Sequence, residues 1–268
     1  MLLSTGFVAQ LCKGSGYWKN IANGEMRLLT GTEPATADAA ETGTLLAVLT
    51  LSGSAWTPET LAIYKGTITG TSGTVTSVKV GGLEILGATI TFSVDVTTTA
   101  ALVAAKINDH SSTTQFTATS SAGIVYITCP PTTGTSHNAG ILLVTTVSGG
   151  DLAFTVTGTG TPADSGGTAG IAAVNGLNFQ FPAVAGVFTK ETTVWQDSSA
   201  NAAGTVGYAR LVLDGTDDFT LSTSYRRIQF TVGTSGADIT SQILTTTLAA
   251  PVIMNTFALT ATTAMPTA

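Results

Sequence analysis

"GEMRLLTGTEPATADAAETGTLLAVLTLSG", residues 24–53, is the stretch from which the fold class is read. Met26, Leu28 and Thr30 alternate with Arg27, Leu29 and Gly31, the period of two that sends successive side chains to opposite faces of a strand. Glu33-Pro34 breaks the alternation, and Thr44 to Leu51 supplies a second strand. The intervening "ATADAAETG" is too polar for a core element and reads as an ordered surface loop or a single helical turn joining the two strands.

Composition agrees with a β-rich chain. Charged residues are 10% of the 268, against about 25% in an ordinary domain, while threonine makes up about a fifth of the chain. Hydroxyls and backbone must therefore cover the surface, and a β-branched residue suits a pleated, half-exposed face. The net charge of −6 comes with no run of like charges, and the ten basic residues are scattered, which argues against nucleic acid. Arg226-Arg227 is the only adjacent basic pair; it lies in a strand-like run and reads as facing solvent or a partner protein. No apolar stretch is long enough to span a bilayer, and the N-terminus lacks a basic region followed by a long apolar run, so neither a membrane span nor a signal peptide is expected.

Residues 1–20 open with an apolar cluster suited to one or two helical turns, stopped by Gly14 and Gly16. Beyond Pro58 comes a Gly/Thr/Ser tract over Gly66–Thr74, then a clean alternation of Ala88, Ile90, Phe92, Val94 and Val96 with polar residues, which predicts a strand. Thr97 to Thr99 are candidate N-caps for a helix over "AALVAAKINDH", with Leu102, Val103 and Ile107 on one face. "QFTATSSAGIVYITCPP" reads as a hairpin turning through Ser120 to Gly123, and two more strands flank Gly149-Gly150. These elements make a compact α+β unit between the linker-like Thr57-Pro58 and residues 158–170. An all-β texture then resumes: strands at Val206–Leu213 and Ile228–Val232 joined through the "DGTDD" turn, and a closing strand over Val252–Leu259.

Three stretches, "NGEMRLLTGTEPATADAAETGTLLAVLTLSG", "NGLNFQFPAVAGVFTKETTVWQDSSANAAGTVGYARLV" and "RRIQFTVGTSGADITSQILTTTLAAPVIMNTFALT", together resemble a group of structural proteins of tailed bacteriophages. The residues that carry the resemblance are Arg27 to Leu46, Trp195, Gly204 to Arg210, and Thr231 to Asp238. In that group the first two pieces lie close together, whereas here residues 57–168 separate them. That segment, through "KINDHSSTTQFTATSSAGIVYITCPPTTG", is similar to a small α+β module of phage virion proteins. The resemblance implies a mainly β protein. Its host domain would be discontinuous, sandwich-like or jelly-roll-like, formed by residues 1–56 and 169–268, with an α+β domain inserted at 57–168.

Motifs of catalysis or metal binding are weak. His110 follows a helix end and His137 sits in a Gly/Thr loop, with no third ligand placed by spacing and no GxSxG elbow elsewhere. Asp214, Asp217 and Asp218 lack the ligand spacing of a calcium loop and read as a solvated turn. "GTSGTVTSVKVGG" lacks the Gly-Lys-Ser/Thr ending of a phosphate loop and reads as a flexible lead-in to the inserted domain. Trp18, Trp56 and Trp195 read as core or subunit-contact residues, and Cys12 and Cys129 as small buried apolar residues more than as a disulfide.

The expectation is a non-enzymatic virion component, made in the host cytoplasm, without cofactor or metal, whose partners are its own copies and other virion proteins. It would belong to the tail or neck; the alternatives are capsid decoration and, in another class, a host-glycan module. Arg27, Leu28, Glu33, Pro34, Asp38, Trp195, Arg226 and Arg227 are the candidate contact residues. The loop after the first strand is expected to lie along a neighbouring subunit.

Overall fold

The computed structural model describes residues 1–12, 20–180, 187–240 and 245–260. Trp18 and the expected helix stop at Gly14 and Gly16 lie outside the described residues. The elements run β1 (Leu2–Leu3), α1 (Thr5–Cys12), β2 (Glu25–Leu29), β3 (Leu45–Leu51), β4 (Ile63–Thr69), β5 (Thr74–Val80), β6 (Leu83–Glu84) and β7 (Ile90–Thr91). Next come α2 (Val96–Asp109), α3 (Ser111–Thr114), β8 (Thr117–Ser121), β9 (Ile124–Thr128), β10 (Leu143–Ser148), β11 (Ala153–Thr155), β12 (Val187–Thr189) and β13 (Trp195–Asp197). The chain ends through β14 (Gly204–Thr205), β15 (Tyr208–Val212), β16 (Arg227–Gly233), β17 (Ile239–Thr240), β18 (Thr245–Thr246), β19 (Val252–Met254) and β20 (Ala258–Thr260). The protein is mainly β, with several antiparallel sheets and, among the described residues, no barrel.

Two compact units form. The first gathers Met1–Leu11, the described chain up to Pro58, and the chain from Ala173 onward; the second holds Glu59–Ala172 together with Cys12.

The first unit is organised by one sheet of order β1-β16-β15-β2-β3-β13-β19, antiparallel along that path, with β17 added in parallel to β16. Strands from both ends of the chain are neighbours here: β2 pairs with β15, Arg27 opposite Arg210. One face is apolar because the period of two puts Met26 and Leu28, Ala209 and Leu211, and Ile228 and Phe230 on the same side. It packs on an aromatic cluster in which Trp195 meets Phe179 and Phe257 at ring-centroid distances of 5.1 and 5.4 Å, and Phe230 meets Phe257 at 5.7 Å. The expected strand over Val252–Leu259 is two: β19 pairs with β13 while β20 pairs with β12.

The second unit has two sheets, β10-β5-β6 with β7, and β11-β4-β9-β8. The tract at 70–82 read as a flexible lead-in is structured: it supplies β5, which lies between β10 and β6, because threonine's branched Cβ favours extended backbone even beside glycine; β4, just before it, lies between β11 and β9. The chain changes sheet at Gly70–Gly73 and again at Gly149-Gly150, and the two corners touch. A Cβ on Gly150, at φ +61°, would stand 2.1 Å from Ser72 O. The Asp151 carboxylate accepts from Thr71 N, Ser72 N and both hydroxyls, joining the corners.

Of the strand expected over Ala88–Val96, only Ile90–Thr91 forms. Asp95 caps α2 by accepting from Thr98 N at 2.7 Å, in place of the expected Thr97–Thr99, so the helix starts at Val96 and Val94 is left 87% exposed. Local capping outcompeted the alternation. On α2, Val103 and Ile107 are buried and Leu102 is exposed. Ala122 and Gly123, both at positive φ, make the tight turn of the β8–β9 hairpin.

Candidate functional site

The second face of the large sheet is the most unusual feature of the molecule. The same alternation that points Met26 and Leu211 to the core points Arg27, Arg210 and Gln229 the other way, in one row across β2, β15 and β16. The next row brings Glu25, Val212 and Arg227 together. Yet Arg210, Arg227 and Gln229 are fully buried, because residues 30–44 fold back over this face. We call this segment the strap.

Sheet side chains hold the strap chiefly by its main chain. Gln229 Nε2 donates to Pro34 O (2.7 Å), Arg210 Nη1 to Ala39 O (2.9 Å), and Arg227 Nη1 to Asp38 O (3.3 Å). Tyr208 Oη donates to Thr42 O at 2.7 Å and accepts from Thr42 N at 2.9 Å. From the 214–226 segment, Ser222 N donates to Asp38 O and Phe219 O accepts from Glu41 N. Thr5, at the start of α1, donates through N and Oγ1 to the Asp38 carboxylate (2.8 and 2.6 Å). Ala37, within the strap, is buried.

Charges in this layer balance. Arg27 and Arg210 stand opposite each other on paired strands, an arrangement that repels unless compensated. Arg27 Nε reaches Glu41 of the strap at 2.9 Å, its Nη1 reaches Glu25 at 3.3 Å, and its guanidinium stacks on Phe219 at 3.7 Å. Arg227 and Asp217 form a pair with both side chains at 0% exposure, Nε to Oδ2 at 2.6 Å. Arg210 binds Gln229 Oε1 through Nη2 at 2.6 Å, and its Nε is buried without a partner. Burial lowers the Arg210 guanidinium, opposed by Glu41, and burial raises the Glu25 carboxyl, opposed by Arg27. Glu41 thus matches three cations with three anions.

The candidate contact residues take different places from those expected. Arg227 does not face solvent; the strap and Asp217 bury it. Trp195 and Leu28 are buried in the aromatic and aliphatic core, so their side chains offer nothing to a neighbour. Arg27, Glu33, Pro34 and Asp38 join strap to sheet, Glu33 lying 3.5 Å from Gln229 Nε2. Arg226 pairs with Asp214 at 2.7 Å. The loop expected to lie on a neighbouring subunit lies on its own sheet, and Thr32, Ala35, Thr36, Ala40 and Thr42 form its exposed side.

The "DGTDD" turn is not a solvated acidic cluster: Asp214 and Asp217 turn to the two arginines, while Asp218 accepts from Thr220 N and Oγ1. Among the described residues no three His, Cys, Asp or Glu side chains converge as metal ligands. His110 closes α2; His137, pushed down by burial, packs edge-on against Tyr64 and Phe116. Cys12 is exposed and Cys129 buried, both as free thiols, and burial pushes Cys129 up to about 12. No described helix is long and apolar enough to cross a membrane.

Sequence reasoning missed Arg210, Tyr208, Asp217, Phe219, Glu41 and Gln229. One signal was available: an arginine inside the otherwise apolar run "YARLVL" requires a buried partner layer. Comparisons with protein-family models, curated proteins and solved structures find no match to this chain.

Proposed function

We propose that the chain is a non-enzymatic structural component of a tailed-phage virion, assembling in multiple copies in the tail or neck. One observation carries this reading. The segments that resemble phage structural proteins, Arg27–Leu46, Trp195, Gly204–Arg210 and Thr231–Asp238, are far apart in sequence, yet they contribute the strap and parts of β2, β3, β13, β15 and β16, which belong to one contiguous sheet and its cover. Such convergence is what a shared structural piece would require. The strap's small Ala and Thr side chains present a weakly charged surface that costs little side-chain entropy to dock.

The test is quantitative mass spectrometry of purified particles beside isolated tails. A fixed, ring-like copy number that travels with tails is the expected result. Hundreds of copies staying with empty heads would move the assignment to capsid decoration, and absence from both would remove it.

A further inference from the structure

We propose that residues 31–43 form an exchangeable strap: the site on the large sheet that holds it accepts the same segment from a second copy of this chain. This does not rest on the particle assignment, since exchange is a property of the isolated chain.

The neck of the strap is closed on itself. Thr30 N donates to Thr44 O at 3.0 Å and Thr44 N to Thr30 Oγ1 at 2.8 Å, with Gly31 and Gly43 just inside at φ +79° and +77°. A loop pinched at its base between two glycines can swing as one body while β2 and β3 stay paired. The face beneath reads Pro34, Asp38, Ala39 and Thr42 through their carbonyls, which a second copy presents identically. Charge adds to the match: the strap carries Glu33, Asp38 and Glu41 and no base, and on the face Glu25 and Asp217 partner Arg27 and Arg227, so that the face's three arginines are brought to balance only by Glu41 of the strap. The buried, unpartnered Nε of Arg210 leaves this face donor-rich even with its own strap seated.

Since the same contacts form within or between copies, concentration decides which state is populated. A tethered segment sees an effective concentration on the order of millimolar, so dilute chains close on themselves and crowded copies exchange.

Thr5 and Asp38, which touch at the strap, provide the trap. With Cys12→Ser in every chain, a Thr5→Cys variant is mixed with an Asp38→Cys variant and oxidised. A covalent heterodimer forming at about 1 mM but not at about 1 μM, and absent from either variant alone, is expected from this concentration argument. Its absence at the higher concentration, while a chain carrying both cysteines closes its internal link, overturns the proposal, as does equal dimer in the single-variant samples. An independent measurement titrates a fluorescein-labelled peptide of residues 31–43 into the full chain. A Glu41→Gln chain, its own strap loosened, should bind it about fivefold more tightly than the unaltered chain, the fold-change that corresponds to the roughly 1 kcal/mol of one hydrogen-bonded contact. Failure of both chains to bind saturably overturns the proposal even if the cysteine link never closes.

Discussion

Arg227 and Asp217 show how a residue can be read correctly as a strand position and wrongly as a surface. Removing one member of a buried pair leaves an uncompensated charge, so Asp217→Ala should destabilise the first unit by about 3–5 kcal/mol, whereas the double variant Asp217→Leu/Arg227→Met should recover most of that loss. Urea unfolding followed by tryptophan fluorescence measures both. At the corner of the second unit, four donors from Thr71 and Ser72 hold the Asp151 carboxyl down to about 2. A depressed folded value means that the clamp acts in full above the ordinary value of 3.8 and is lost as pH falls toward 2. Thermal melts from pH 5 to pH 2 should therefore show Asp151→Asn less stable at pH 5 and converging with the unaltered chain near pH 2.

At the scale of elements, the strap depends on its neck and α2 on its cap. A Cβ at Gly43 would stand 2.2 Å from Thr30 O at a backbone φ of +77°, so Gly43→Ala should cost about 1–3 kcal/mol and open the strap to proteases first, as limited proteolysis would report. Loss of the Asp95 cap in Asp95→Ala should lower the melting point of the second unit by a few degrees without altering the β8–β9 hairpin. Period-two alternation located β2, β15 and β16 correctly, and an apolar run located β3, because those strands each turn a face to the core. It failed over Ala88–Val96, where a single Asp–Thr cap outweighed it, and over the Gly/Thr tract, where threonine's strand preference hid behind glycine. The strap's position was not legible. Nothing in "ATADAAETG" says whether it meets its own sheet or another, since the donors that hold it stand at residues 208, 210, 227 and 229.

For the molecule as a whole, the chain leaves and returns to the first unit side by side, at an isolated antiparallel bridge: Thr57 and Val174 exchange both hydrogen bonds at 2.9 Å. Joining Thr57 to Val174 through Asn-Gly, with residues 58–173 removed, should leave a first unit that melts cooperatively and keeps its near-ultraviolet circular dichroism. A molten product would show that the unit cannot stand alone. The strand order β16-β15-β2-β3 also sets a schedule during synthesis. When β3 leaves the ribosome its hairpin partner β2 is present, but β15, which must cover β2's other edge, is still unmade. At about 5–20 residues per second it follows roughly 10–30 s later. In that interval residues 59–172 can complete their own fold, while Arg27 and the strap wait beside an open strand edge. A nascent chain is therefore most vulnerable to aggregation between the emergence of β3 and that of β16, and a chaperone protecting it would have to cover that edge until the last third of the chain arrives.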